Sequence, residues 1–276
     1  MLSDVFVPLL TYPDRTTIEF AEAVAPYAAG FATHVTFAPI EIDVPDLANR
    51  WGSALIALPQ MVAKVEADSR SIAHDLRQRT ASEHPPLHIH HRMLSAPFGQ
   101  VDPALVPHAA CHDLSLVAIE GGSDEKTMLA EALIFGTGRP VMVAPDAALS
   151  AFDIRRIAIA WDGGRCASRA VFDAMPLITA ASSVTILSAP DDKDLPAQSL
   201  KRLLDYLDRH GVPAATRTIE SRSRGIGEAL QAGAADIGAG LLVMGAYGHS
   251  RLREFVMGGA TRSIIGSPRA PVLLSH

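Results

Sequence analysis

Cysteine is nearly absent from this chain of 276 residues. Cys111 and Cys166 stand far apart in no ligand-like spacing, which excludes a disulfide framework and a cysteine-based metal site as organisers of the fold. Two isolated thiols fit a reducing compartment. Basic residues are outnumbered, 24 Lys and Arg against 30 Asp and Glu, leaving a net charge of -6. Proteins that grip nucleic acid usually present a basic face, so this balance points away from DNA and RNA. It leaves nucleotides open, because backbone amides hold a phosphate without net positive charge. A membrane span is not expected either: the uncharged run over residues 237–248 is 12 residues long, short of the ~20 a spanning helix needs. The opening MLSDVFVPLLTYPD carries Asp4 where a secretory leader has Lys or Arg, so the expected location is the cytoplasm.

What is present is an apolar share of 48%, in a chain long enough for one large domain or two small ones. The chain repeats its own plan. VFVPLL at 5–10 is echoed by RIAIAW at 156–161, LSLVAI at 114–119 by AGLLVMG at 239–245, and RPVMVAP at 139–145 by APVLLSH at 270–276. A proline opens both final strands, where no ladder donor is needed. Helical spacing marks 14–28, 58–80, 101–111, 168–181 and 225–236; Leu200, Leu203, Leu204 and Leu207 repeat at i, i+3, i+4, i+7 before Gly211. Further strands are expected at 34–40, 87–93, 183–189 and 214–220. Near-continuous apolar strands alternating with helices predict two tandem doubly wound α/β domains, each with a five-stranded parallel sheet. The boundaries fall at 1–146 and 154–276, joined by PDAALSAFD. Both final strands are apolar edges in need of cover, and they are expected to meet about a pseudo-twofold axis as a dimer within one chain.

Open α/β sheets take ligands beyond the carboxyl ends of their strands, where strand order reverses. In the second half the loops there are Trp161-Asp162-Gly163-Gly164 and Gly245-Ala246-Tyr247-Gly248. Asp162 reads either as a ligand contact or as turn chemistry, since Asp-Gly favours turns. Gly245 and Gly248 would let the backbone approach a ligand and adopt positive φ. Gly258 and Gly259 precede a helix through Arg262 to Ile265, whose unpaired N–H groups favour an anion. Thr261 either adds a hydroxyl or caps that helix.

The spacing Gly245-x2-Gly248-x9-Gly258, after LLVM and before PVLL, resembles the nucleotide-binding signature of the universal stress protein family. WDGG after IAIA resembles that family's first-strand loop, and the resemblance covers the chain as two tandem copies. It implies a flavodoxin-like, adenine nucleotide hydrolase-like fold, a role in stress survival, and ATP, ADP or AMP as ligand, with magnesium a candidate companion. It places Asp162 and Ala189 around adenosine, and Met244, Gly245, Gly248, Gly258, Gly259 and Ala260 around ribose and phosphates. Ala160, His249 and Thr261 complete the set of candidate contacts. The family's ATP-binding members carry Ser or Thr after the third glycine, where this chain has Gly259; one lost hydroxyl bond weakens binding by about 0.5–1.5 kcal/mol. The first half departs further. Leu10 replaces the loop aspartate, and EGGSD at 120–124 lacks the following glycine spacing and brings Glu120 and Asp124, which repel phosphate. It reads as a degenerate copy.

His88, His90 and His91 raise a zinc reading, since His88 and His90 share one face of a strand. A polar strand end is the plainer reading, with His84, His108 and His112 elsewhere in the same half. There is no Walker A lysine, no G-x-S-x-G and no HExxH. The functional expectation is a regulatory adenine-nucleotide binder with at most slow hydrolysis. Two other classes stay open: a hydrolase or phosphotransferase using His249 or Asp162, and an interaction module whose glycines serve only the turn. A homodimer of whole chains is likewise left open.

Overall fold

A computed structural model describes residues 1–44, 58–146, 149–190, 197–221, 225–248 and 260–276. The first half runs β1 (Leu2–Leu9), α1 (Ile18–Ala28), β2 (Ala32–Asp43), α2 (Leu58–Arg79), β3 (His88–His91), β4 (Leu94–Pro97), α3 (Val101–Ala109), β5 (Leu114–Ile119), α4 (Asp124–Gly136) and β6 (Val141–Pro145). After a 3₁₀ turn at Leu149–Ala151 come β7 (Arg156–Ala160), α5 (Arg165–Ile178), β8 (Ser183–Ser188), α6 (Ala197–Arg209), β9 (Ala214–Thr218), α7 (Ile226–Asp236), β10 (Leu241–Gly245), α8 (Ala260–Gly266) and β11 (Val272–Ser275).

Side-chain caps start two of the helices in the first half. Thr17 accepts the Phe20 N–H ahead of α1, and Ser123 accepts the Lys126 N–H ahead of α4. The strands line up as β3-β2-β1-β5-β6-β11-β10-β7-β8-β9. Among the described strands, pairing is parallel within each half, and β6 meets β11 antiparallel. There Val272 faces Val143, Leu273 faces Met142 and Leu274 faces Val141. Each half is thus a doubly wound parallel sheet. The reversal of strand order lies between β1 and β5 in one half, and between β7 and β10 in the other.

One strand has no counterpart in the sequence expectation. β3 falls within the strand expected at 87–93, and β4 follows it at Leu94–Pro97. The 12-residue β2 is long enough to host both in turn, pairing His34–Phe37 with β3 and Ile40–Asp43 with β4.

Burial on both faces explains the apolar strands. On one face Val24 of α1, Leu76 of α2, Ala174 of α5 and Leu207 of α6 pack with Met142 and Leu273. On the other, Leu105 of α3, Leu133 of α4, Leu230 of α7 and Ile264 of α8 pack with Val143 and Val272. Both cores run across the β6–β11 seam without interruption. Urea unfolding followed by far-UV circular dichroism should therefore show one cooperative transition, and Leu273→Asp should lower its midpoint for the whole chain; two separate transitions would contradict a shared core.

Candidate functional site

The register Leu241↔Ile157 to Val243↔Ile159 sets the loop after β7 beside the loop after β10, at the strand-order reversal of the second half. β7 ends at Ala160. Trp161 next donates its backbone N–H to Leu187 O at 2.9 Å and its indole N–H to Ser199 Oγ on α6 at 3.1 Å. The chain then turns through Gly163 at φ 72, and Asp162 Oδ1 accepts the Gly164 N–H at 2.8 Å, which delivers the backbone into α5. Asp162 stays half-exposed beside the crevice. Its turn role is directly visible.

The glycines divide by role. A Cβ on Gly245 would lie 2.4 Å from Ala167 N and 2.5 Å from Cys166 C, so this glycine lets β10 touch the first turn of α5. The close approach expected toward a ligand is here an approach to the protein's own helix. Gly248 is exposed, and among the described residues its Cβ would meet nothing nearer than Cys166 Cβ at 4.0 Å. Neither glycine has the positive φ expected from sequence; Tyr247, at φ 51, carries it instead. A bulky residue there costs about 1–3 kcal/mol and persists only when its surroundings hold it.

Those surroundings are visible. Thr261 Oγ1 accepts the Tyr247 N–H at 3.2 Å, and the Tyr247 hydroxyl donates to Glu131 on α4. The Tyr247 ring lies 4.8 Å from that of Phe135, which meets the His276 ring edge-on at 5.0 Å. His276 Nδ1 donates to Ala246 O at 3.0 Å. Glu131 and Phe135 belong to the first half, over a hundred residues away (Glu131 is 116 from Tyr247), so no local pattern announces them.

The remaining predicted contacts mostly converge. Met244 and Ala160 are buried at strand ends, and half-buried Ala189 and Ala260 pack against the same core. Thr261 is buried in the first turn of α8. His249, Gly258 and Gly259 lie outside the described residues, as do Arg251 and Arg253.

The equivalent crevice in the first half is filled by its own side chains, which composition alone did not indicate. Lys126 is fully buried, with Nζ 2.6 Å from Asp146 Oδ2 and 3.8 Å from Glu120 Oε2. Asp146 Oδ1 also accepts the Thr17 hydroxyl, and Ser123 Oγ donates to Asp14 Oδ2 at 2.7 Å. Burial, then the charges of Asp14 and Asp102, hold Glu125 above the usual carboxylate range. The polar groups here satisfy one another and add negative charge.

On the edge strand, His88 and His90 share one face as alternation predicts, and both stack on His34, with ring centroids 4.9 and 5.5 Å apart. His91 turns the other way, its Nε2 2.8 Å from Thr80 Oγ1, and burial followed by Arg77 and His90 lowers its pKa. Among the described residues no set of three His, Cys, Asp or Glu is arranged to hold a metal ion, and no helix is long and apolar enough to cross a membrane.

Two substitutions separate the glycine roles. Gly245→Ala should lower stability by about 2 kcal/mol or more, because backbone must move, whereas Gly248→Ala should stay within about 0.5 kcal/mol; thermal unfolding of both checks this. Lys126→Met strands the buried Asp146 charge and should cost about 3–5 kcal/mol in urea unfolding, with much of the loss recovered in Lys126→Met/Asp146→Leu.

No protein-family model matches the sequence, and no curated protein matches it at a significant level. In structure the chain is similar to a universal stress protein from Archaeoglobus fulgidus DSM 4304, with a TM-score of 0.67 and 14% identity over 98% of this chain and 95% of that one. It is also similar to a functionally unknown protein from Pseudomonas aeruginosa PAO1, with a TM-score of 0.54 and 12% identity over 99% and 92% of the two chains. The likeness therefore takes in both halves and the seam between them. On that ground, this chain has the fold of the universal stress proteins.

Proposed function

We propose that the protein is a tandem universal stress protein, with units at 1–146 and 154–276 related as a dimer within one chain. Its second unit binds an adenine nucleotide and serves as a ligand-gated regulator in stress survival. The observation that carries this reading is the pairing of β7 with β10, which puts the Asp162 loop and the Gly245–Gly248 loop together at the strand-order reversal. Gly248 supports the fit, since its exposed backbone has room on the side a side chain would take.

In this reading Asp162 and Ala189 face the adenosine, while Met244, Gly248 and the backbone leading into Ala260 face ribose and phosphates. His249, Gly258 and Gly259 belong to the same proposal through the resemblance. Binding, more than turnover, fits the polar groups at hand: the Thr261 hydroxyl, the Tyr247 hydroxyl and the His276 imidazole already hold the loop in place. The first unit is proposed not to bind nucleotide, because Lys126 and Asp146 neutralise each other inside its crevice. Slow hydrolysis, with or without magnesium, is a secondary activity of the same site.

The interaction-module reading draws on the structural duties of Gly245 and Asp162, so the test has to separate the two. Nucleotide released from freshly purified, heat-denatured protein is identified by chromatography, and ATP is titrated calorimetrically with and without magnesium. Saturable binding is expected. Gly248→Val should weaken it at least about tenfold while leaving the melting temperature nearly unchanged, because the added branches enter the crevice and not the core. No co-purified nucleotide and no binding at millimolar ATP would overturn the nucleotide reading and leave the interaction module.

A further inference from the structure

At the opposite end of the second half's sheet, the amino ends of β7, β10 and β11 surround a cavity of about 360 Å³, within the size range of small-molecule sites. β10 separates it from the Asp162 crevice by about 13 Å. Its body is apolar, with Phe152, Ala234, Ala239, Leu242 and Val272 in the walls. The linker between the halves forms one side, and it lies so close that a Cβ on Gly240 would fall 2.2 Å from Asp153 O.

Two guanidinium groups line the same cavity. Arg156 donates from Nη2 to Ile237 O at 2.7 Å and lies flat over Gly238, whose φ of +63 and missing side chain make room for it. Among the described residues that is the guanidinium's one hydrogen bond, so most of its five donors point elsewhere, and the bond covers the α7 carbonyl that would otherwise repel an anion. Arg269 is held through its backbone: its N–H donates to Gln231 Oε1 at 2.7 Å, and buried Gln231 is tied in turn to Ser267 O at 3.3 Å. Its own guanidinium reaches Glu228, outside the lining, at 3.2 Å. The one carboxylate in the lining, Asp153, is engaged first by Arg155: it accepts the Arg155 backbone N–H at 3.1 Å and Arg155 Nε at 3.2 Å, and these bonds, followed by the charges of Arg155 and Arg156, hold its pKa low.

We propose that this cavity is a binding site for a small organic anion: an apolar body among the alanines, Phe152 and Leu242, with a carboxylate, phosphate or sulfonate head on Arg156 and Arg269. Guanidinium groups match such planar or tetrahedral oxyanions with paired hydrogen bonds, and an apolar surround strengthens those bonds. Because the linker forms a wall, an occupant would touch both the second half and the segment that joins it to the first.

The full-length protein is titrated with 8-anilinonaphthalene-1-sulfonate, and separately with its uncharged counterpart N-phenyl-1-naphthylamine, both followed by fluorescence. The sulfonate should bind saturably at one site, at least about tenfold more tightly than the neutral dye. Ala235→Trp, on the exposed face of α7 at the cavity wall, should abolish the site without loss of helical signal. Arg156→Gln and Arg269→Gln should each weaken binding about tenfold or more. Displacement by benzoate or phenyl phosphate supports the anion head and tells carboxylate from phosphate; ATP should not displace the dye. The proposal is overturned by equal affinity for both dyes, by binding that survives Ala235→Trp, or by displacement with ATP and with neither small anion.

Discussion

The antiparallel pairing of β6 with β11 is the contact on which the rest of the molecule depends. Both strands are apolar on both faces, so each would leave an adhesive edge if its half stood alone. Pairing them satisfies the two ladders at once and lets the cores above and below the sheet continue from one half into the other. It also sets direction. Because the strands run oppositely across the seam, the carboxyl ends of one half lie at the same edge as the amino ends of the other.

That reversal places the end of α4 next to the crevice of the second half. Glu131 and Phe135 thereby reach Tyr247, and the left-handed backbone of that residue is held by groups from the far side of the seam. The loop that would meet a nucleotide is thus braced by the half that has filled its own crevice. In the first half, the space between β1 and β5 is taken by Lys126 and Asp146, a buried pair that is stable only while both partners remain. One crevice has become an internal cross-link, and the other keeps its exposed backbone at Gly248.

Periodicity and punctuation made the architecture legible. Apolar strands without alternation, helices of matching length and prolines ahead of both final strands report local preferences, and the structure places elements at nearly every expected position. The added strand β4 was hidden because it depends on the length of β2, a partner and not a neighbour in sequence. The site was legible as a location more than as a set of contacts. Asp162 and the Gly245–Gly248 loop converge because strand order is a consequence of the alternating pattern. The work of each glycine was not legible: Gly245 is small because α5 presses on it, and only the packing of helix on strand can show that.

The sequence by itself determined the class of fold and the two loops that strand reversal would bring together. These follow from hydrophobic period, turn residues and the rule for parallel sheets, all of which act over short stretches of chain. Tertiary structure alone decided which groups hold Tyr247, which crevice is filled by Lys126 and Asp146, and where Arg156 and Arg269 share a cavity. Those contacts join residues that are distant along the chain, and close packing across the seam and around the linker, not local propensity, selects them.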